Sequence, residues 1–139
     1  TDIRFLEADA AQLKQVLLNL LINAVDAASP HGRVGLSVTD GTVALTDTRR
    51  GTRQTVPGLI CEVRNTGPAI EEADRARIFR PFFTTKSSGT GLGLSICHKI
   101  VAAHGGEITV DRELDETIFR ALRPVATTTN IRELEEEAR

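Results

Sequence analysis

The chain has 139 residues, of which 40% are hydrophobic and 26% are charged, and its formal net charge is −2. Its length and composition predict one soluble globular domain with its own core, and its slightly acidic charge argues against a general nucleic-acid binder. The longest apolar run, VLLNLLINAV, contains two asparagines and is too short to span a bilayer. Cys61 and Cys97 lie in apolar patterns, which predicts reduced core residues, as is typical of a cytoplasmic protein.

The first half of the chain predicts a strand, a long helix and three further strands. IRFLEA alternates as a short strand, and Asp9 is a suitable N-cap for a helix over residues 10–28. The buried stripe of this helix is expected to contain apolar residues at helical spacing, namely Leu13, Val16, Leu17, Leu20, Leu21 and Val25. RVGLSV, TVALT and GLICEVR predict strands, with a polar loop, DTRRGTRQTVPG, between the last two.

The second half predicts helices and two closing strands. NTGP indicates a turn, EEADRARIF a short helix and RPFFTTKSSG a loop, before a second helix that ends near Ala103. EITVD and TIFRALR predict the last strands of a domain over residues 1–124, and residues 125–139 are expected to form a linker or a short charged helix. This order favours an α+β fold, a two-layer sandwich whose mixed, mostly antiparallel sheet carries helices on one face.

The segment GTGLGLS, Gly89 to Ser95, is a candidate phosphate loop, because the first N–H groups of the helix that follows it lack partners. A dinucleotide fingerprint requires a third glycine where Leu94 stands, and a P-loop requires a lysine well before Lys99. By itself the segment is compatible with a plain glycine-rich turn or with a ligand loop.

A polar face on the long helix is a second candidate site. Asn19, Asn23 and Asp26 follow at spacings that place them on one side of the helix. Asparagine is a mediocre helix former, so this face is either a solvated surface or a functional one. Amide oxygens are suitable ligands for Mg²⁺, which usually completes its shell with water and substrate phosphates.

Four segments in one order carry a family resemblance. NLLINAVDA, VRNTGPAI, IFRPFFTTK and GTGLGLSI resemble the N, G1, F and G2 boxes of the catalytic ATP-binding domain of sensor histidine kinases. The resemblance covers roughly residues 3–124 and is similar to the short-lid kinases of the nitrogen-regulation type. It implies the Bergerat (GHKL) ATP-binding fold, with the glycine segment as the hinge of an ATP lid.

The resemblance also implies ligands and residue roles. With ATP or ADP and Mg²⁺ bound, Asn23 would coordinate the metal, and Asn19 would help to hold the metal and the phosphates. Lys86 would reach the triphosphate from the lid, and Thr117 would support the adenine end. The other implied nucleotide-binding residues are Asp26, Asn65, Gly67, Ala69, Ile70, Thr85, Gly89, Thr90, Gly91, Leu92, Gly93 and Leu94.

The G1 box departs from the family pattern Asp-x-Gly-x-Gly, because Asn65 replaces the aspartate and Ala69 the second glycine. An asparagine oxygen still accepts a hydrogen bond from the adenine amino group, but the loss of charge costs on the order of 1 kcal/mol. We therefore expect weakened adenine recognition. Two alternatives stay open, a degenerate nucleotide-sensing or protein-interaction module, and a different purine ligand read by Asn65.

The position one turn before Asn23 favours a kinase over an ATPase. Gyrase-type topoisomerases, mismatch-repair ATPases and heat-shock chaperones carry a water-activating glutamate there, whereas this chain carries Asn19. In histidine kinases the domain positions ATP while another domain supplies the nucleophile.

The expected phosphoryl acceptor lies outside this chain. None of His31, His98 and His104 lies in an acid-flanked helix of the kind that carries the phosphoacceptor. We therefore expect a monomer that binds Mg-ATP but does not phosphorylate itself. The resemblance implies a dimerisation and phosphoacceptor domain and a response regulator as partners, with no nucleic acid and no membrane contact.

Overall fold

The structure, a computed structural model, describes residues 3–5, 10–47, 50–83, 92–124 and 126–127. Its elements follow in chain order as β1 (Ile3–Phe5), α1 (Ala10–Ala27), β2 (Val34–Asp47), β3 (Thr52–Thr66), α2 (Glu72–Arg75), α3 (Gly93–Ala103), β4 (Glu107–Glu113), β5 (Glu116–Pro124) and β6 (Ala126–Thr127). This order agrees with the sequence prediction except in two places: the predicted strands RVGLSV and TVALT lie in one strand, β2, and the sequence does not predict β6.

The main sheet has four strands in the order β2-β3-β5-β4, and β1 pairs separately with β6. Every strand pair in the described ranges is antiparallel. The predicted α+β class with a mostly antiparallel sheet is therefore confirmed. The boundary expected at residue 124 stays a prediction.

The hydrophobic core lies between this sheet and the two longer helices. Val16 and Leu20 of α1 are buried against Val63 and Phe119 of the sheet, and α3 contributes Cys97, Ile100 and Val101. The expected stripe of α1 is right for Val16 and Leu20 but wrong for Val25, which is 64% exposed. Ala24 takes the buried position because it follows Leu20 by one turn, whereas Val25 is rotated by a further 100°.

The hairpin of β2 and β3 is longer than the sequence predicts. Pairing runs without interruption from Val34↔Asn65 to Asp47↔Thr52, so RVGLSV and TVALT belong to one strand, and most of the expected polar loop is strand β3. Pro57 is tolerated because pairing with β5 begins only at Gly58, which leaves this stretch of β3 with β2 as its described neighbour.

The two later helices differ in how well the sequence predicts them. Helix α2 covers Glu72–Arg75, and turns continue the chain to the buried Ile78, so the helix expected over residues 71–79 is too long. Helix α3 ends at Ala103, as predicted, with His104 as its C-cap. In the described ranges no helix combines the length and the apolarity that a bilayer crossing requires.

Both cysteines are free, as expected. Cys97 is fully buried and Cys61 is half-buried. Burial raises the pKa of both thiols, that of Cys97 to about 11, although a hydrogen bond with Asn19 opposes part of the shift at Cys97. Both residues are therefore protonated, unreactive packing groups near neutral pH.

Candidate functional site

The first turn of α3 lies against the polar face of α1. The Asn19 amide Nδ2 donates to the carbonyl oxygen of Gly93 at 3.4 Å, and the Cys97 thiol lies 3.7 Å from the carbonyl oxygen of Val16. These contacts bring the asparagine-bearing helix and the end of the glycine segment together. Asn23 and Asp26 continue the same face toward the C-terminal end of α1.

The start of α3 has the properties of an anion-binding end. Its N-cap residue, Leu92, makes no capping side-chain hydrogen bond, and a Cβ added to Gly93 would meet no described atom within 4 Å. The first N–H groups of a helix have no partners within the helix. A phosphate could therefore approach the backbone beside Gly93 closely.

The opposite end of the site is a row of side chains that crosses three strands. Asn65 on β3 pairs with Thr117 on β5, and Thr117 pairs with Arg112 on β4. Residues directly opposite each other in antiparallel strands place their side chains on the same side of the sheet, about 5 Å apart. This row, Asn65–Thr117–Arg112, faces the helices, since Val63 and Phe119 in the same phase belong to the core. We call it the polar row.

Asn65 is the most constrained member of the polar row. It is 1% exposed, and its Nδ2 donates to the carbonyl oxygen of Thr66 at 3.1 Å. Its Oδ1 is buried and accepts no hydrogen bond from the part of the chain that the structure describes. Buried acceptors are nearly always paired in folded proteins, so this oxygen is suited to a donor from a ligand.

Arg112 ties the row to the following turn. Its Nη1 donates to the carbonyl oxygen of Gly67 at 2.8 Å and to the Thr117 hydroxyl oxygen at 3.1 Å, while its Nε donates to the carbonyl oxygen of Leu114 at 3.2 Å. Thr117 is itself buried, with 4% of its surface exposed. One guanidinium thus fixes the turn and a buried hydroxyl together.

The turn at Gly67 joins the polar row to the end of α1. Gly67 has a φ of 137°, and an added Cβ would clash with the carbonyl oxygen of Ala27. The preceding residue is also fixed, because the Thr66 hydroxyl oxygen accepts a hydrogen bond from the Arg33 backbone N–H at 2.8 Å. Glycine is required here both for the backbone conformation and for the close approach of the two segments.

The remaining predicted site residues are distributed as follows. Ala69 is exposed, Ile70 packs against the core, and Leu92 and Leu94 are half-buried. Five predicted residues lie outside the described ranges: Thr85, Lys86, Gly89, Thr90 and Gly91. Their roles stay predictions.

The three histidines lie in a turn, on α3 and at the C-terminal end of α3. His31 is exposed in a turn with a φ of 59°. His98 is exposed on α3, with its ring 5.7 Å from that of Phe79, and His104 has its Nδ1 2.7 Å from the carbonyl oxygen of Ile100.

Sequence reasoning missed Arg112. A signal was present, because Arg112 follows Ile108 and Val110 at alternate positions and so continues the inward-facing phase of β4. An arginine in phase with core residues indicates a polar partner inside the fold.

Comparison with known proteins places this geometry in context. Residues 8–127 match the family model described as histidine kinase-, DNA gyrase B-, and HSP90-like ATPase. A curated relative, the sensory histidine kinase/phosphatase NtrB of Rhodobacter capsulatus, is 40% identical over 118 residues, which cover 85% of this chain and 33% of NtrB. The chain spans as little as 15% of another curated sensor kinase, AtoS of Escherichia coli.

Solved structures give the same comparison in three dimensions. The nucleotide-free catalytic domain of histidine kinase ThkA matches with a TM-score of 0.69 and 38% identity, over 85% of this chain and 69% of that one. ThkA in complex with the response regulator TrrA matches with a TM-score of 0.65 and 34% identity, over 86% and 30%. Full-length ShkA in complex with AMPPNP matches with a TM-score of 0.59 and 31% identity, over 87% and 23%.

Proposed function

Because the chain belongs to the histidine kinase-, DNA gyrase B-, and HSP90-like ATPase family, we propose that it is the ATP-binding catalytic domain of a sensor histidine kinase. In this proposal the domain binds Mg-ATP and presents the γ-phosphoryl group to a histidine on a separate dimerisation and phosphoacceptor domain. The sensor kinases that it resembles support this assignment, and so does the structure of ShkA with the ATP analogue AMPPNP.

One observation carries the proposal, the contact between the Asn19 side chain and Gly93 at the start of α3. This contact brings together a helix face with two amide side chains and a helix N-terminus, whose first N–H groups have no partners within the helix. The first kind of group suits a divalent metal, and the second suits phosphate oxygens. A metal-bound triphosphate needs both.

The base would lie over the polar row. The buried Asn65 Oδ1 would accept a hydrogen bond from the adenine amino group, and the adjacent Thr117 would support the same edge of the ring. Gly67, with its left-handed backbone, holds this end of the site close to the end of α1. The base and the phosphates would thus occupy opposite ends of one site along α1.

The metal would be held by Asn23, with Asn19 in support and with oxygen ligands from the nucleotide. When bound, Mg²⁺ neutralises charge on the phosphates and so favours their attack by a nucleophile. Asn23 is half-buried on α1, one turn after Asn19. Lys86 is proposed to add a positive charge from the lid.

The reaction would be phosphoryl transfer rather than hydrolysis. An imidazole nitrogen of the acceptor histidine attacks the γ-phosphorus, the bond to the β-γ bridging oxygen breaks, and ADP leaves. A carboxylate at position 19 could remove a proton from water, whereas the Asn19 amide cannot act as that base. We further propose a response regulator as the eventual phosphoryl acceptor, as the ThkA complex with TrrA suggests, and a cytoplasmic location.

A reconstitution experiment tests this function. The purified domain is mixed with Mg-ATP, with and without a separately expressed dimerisation and phosphoacceptor domain from the same protein. We expect acid-labile phosphohistidine on the added domain and none on this chain alone. Phosphate on this chain alone, or ATP binding without any transfer, would contradict the proposal.

The replacement of the G1 aspartate by Asn65 favours a second candidate, a nucleotide-sensing or docking module that no longer supports transfer. Signalling output from the full protein separates the two functions. Asn23→Ala abolishes output if Mg-ATP chemistry is required and leaves it intact if the domain only docks partners.

A further inference from the structure

We infer that Arg112 is a positioning residue that makes the Thr117 hydroxyl a hydrogen-bond donor and thereby sets a preference for adenine over guanine. The inference rests on the proposed function, because it concerns the base end of the same nucleotide site. Its basis is the geometry of the polar row.

The Thr117 hydroxyl has a fixed partner on one side. Arg112 Nη1 lies 3.1 Å from Thr117 Oγ1, and a guanidinium can only donate hydrogen bonds. The Thr117 oxygen therefore accepts from Arg112, and its single proton must point elsewhere. Asn65 Oδ1, which occupies the adjoining position of the row, takes no hydrogen bond from described residues, so the proton is not used there.

The two purines differ in the groups that they present at C6 and N1. Adenine has an amino donor at C6 beside the acceptor N1, whereas guanine has a carbonyl acceptor at C6 beside the donor N1–H. The Asn65 acceptor and the Thr117 donor form a pair that matches adenine when Asn65 faces C6. Guanine would then place two acceptors together and two donors together, which leaves buried polar groups unpaired.

Arg112 biases the Thr117 hydroxyl toward donation. A threonine hydroxyl has one proton and two lone pairs, so without Arg112 it could donate to adenine or accept from guanine. A hydrogen bond accepted from a cation polarises the hydroxyl, so that donation to the base is favoured over a second acceptance. The second Arg112 bond, to the carbonyl oxygen of Gly67 at 2.8 Å, fixes the turn beside Asn65 at the same time. Arg112 therefore restricts both the hydroxyl and the turn to the arrangement that suits adenine.

The test measures affinities for Mg-ATP and Mg-GTP by calorimetry on the wild-type domain and on Arg112→Ala. We expect the wild type to prefer ATP, and Arg112→Ala to bind ATP about tenfold more weakly while its affinity for GTP stays the same. The ATP-to-GTP ratio should therefore fall about tenfold. Arg53→Ala, an exposed arginine near the far end of β3, is the matched control and should leave both affinities unchanged.

Thr117→Val separates positioning from general structural support. It should lower the ATP-to-GTP ratio by itself, and Arg112→Ala should have no further effect on the ratio in the Thr117→Val background. Arg112→Lys, which keeps the charge but not the planar fork, should lie between wild type and Arg112→Ala. These variants decide the question even if Arg112→Ala fails to fold.

Different outcomes contradict different claims. Equal losses of ATP and GTP affinity in Arg112→Ala, or a ratio that stays unchanged while the wild type prefers ATP, overturn the role of Arg112 and leave the nucleotide site intact. A wild-type domain that binds neither nucleotide at millimolar concentration overturns the proposed function and this inference with it.

Discussion

The two faces of the central strands carry different kinds of polar side chain. On the helix-facing side, Asn65 and Thr117 are buried and uncharged, and Asn65 Oδ1 lacks a partner within the described ranges. On the outer side, Arg120 is paired with Glu62 at 2.7 Å and with Asp111 at 2.6 Å. Arg64 bridges Glu62 and Glu113 at 3.1 Å each. We call these five outer residues the charged network.

The two faces differ in whether their polar groups are paired within the described residues, which indicates a structural role for the outer face and a ligand-binding role for the inner one. The hydrogen bond from Arg120 is the main reason that the pKa of Glu62 lies below its usual range, and burial partly opposes it. Each charged side chain of the charged network thus has an oppositely charged partner within the network. Among the described residues, the buried Asn65 Oδ1 of the polar row has no hydrogen-bond donor, which costs stability unless a ligand pairs with it. Substitutions on the inner side should therefore change nucleotide binding, and those on the outer side should change stability.

The largest effect is expected at the metal position above the inner face. Asn23→Ala should reduce phosphohistidine formation on the added phosphoacceptor domain about a hundredfold, because the proposed metal ligand is lost. Transfer is measured with labelled ATP. Gln54→Ala, which removes an exposed amide from the far part of β3, is the matched control and should retain activity. An active Asn23→Ala domain would show that this face of α1 is not part of the phosphate site.

A methyl group at Gly67 should disrupt the close packing of the Gly67 turn against the end of α1. Gly67→Ala combines a disfavoured backbone conformation with a clash against the Ala27 carbonyl oxygen. We expect a loss of about 2–3 kcal/mol in the free energy of unfolding, measured in urea. Gly35→Ala, where an added Cβ meets no described atom within 4 Å, should change it by about 0.5 kcal/mol or less. Equal stabilities for the two variants would contradict the tight approach of these segments.

A carboxylate at position 65 tests whether this side chain accepts a hydrogen bond from the base. Asn65→Asp should strengthen ATP binding about fivefold, because the hydrogen bond to the adenine amino group becomes charge-assisted. The ligand-free variant should unfold at a lower temperature, since a carboxylate buried without a ligand is costly. Calorimetry and thermal unfolding measure the two effects, with Gln54→Glu as the control. Weaker ATP binding would mean that Asn65 does not accept from the base.

The contribution of the outer face to stability should depend on pH, and substitutions there should not change nucleotide affinity. Because the folded pKa of Glu62 is lowered from 4.5, its stabilising contribution is present above pH 4.5 and is lost as the pH falls through the folded pKa. Glu62→Gln should cost about 1 kcal/mol at pH 7, and this difference from wild type should shrink as the pH falls below 4.5 through the folded pKa. ATP affinity should stay the same.

Glu71→Gln, which changes an exposed carboxylate outside the charged network, is the control for this prediction and should change stability little at neutral or acid pH. A cost of Glu62→Gln that does not shrink as the pH falls below 4.5 would contradict the ionic origin of the effect.

The sequence predicts helices α1 and α3, which line the proposed site, more accurately than it predicts the strand pairing of the sheet. The apolar spacing and polar face of α1 are local properties, and so are the glycines before α3, so both helices follow from short windows. The continuous β2–β3 hairpin and the Asn65–Thr117–Arg112 row depend on register between strands far apart in the chain. The exposure of Val25 and the inward position of Arg112 are different, because helix rotation and strand alternation are local signals that the sequence contained.

A crystal structure with Mg²⁺ and a non-hydrolysable ATP analogue tests the central claim most directly. We predict the adenine amino group about 3 Å from Asn65 Oδ1, with the metal and phosphates between Asn23 and the first turn of α3. A nucleotide bound elsewhere, or α1 and α3 enclosing no ligand at saturating concentration, would contradict it.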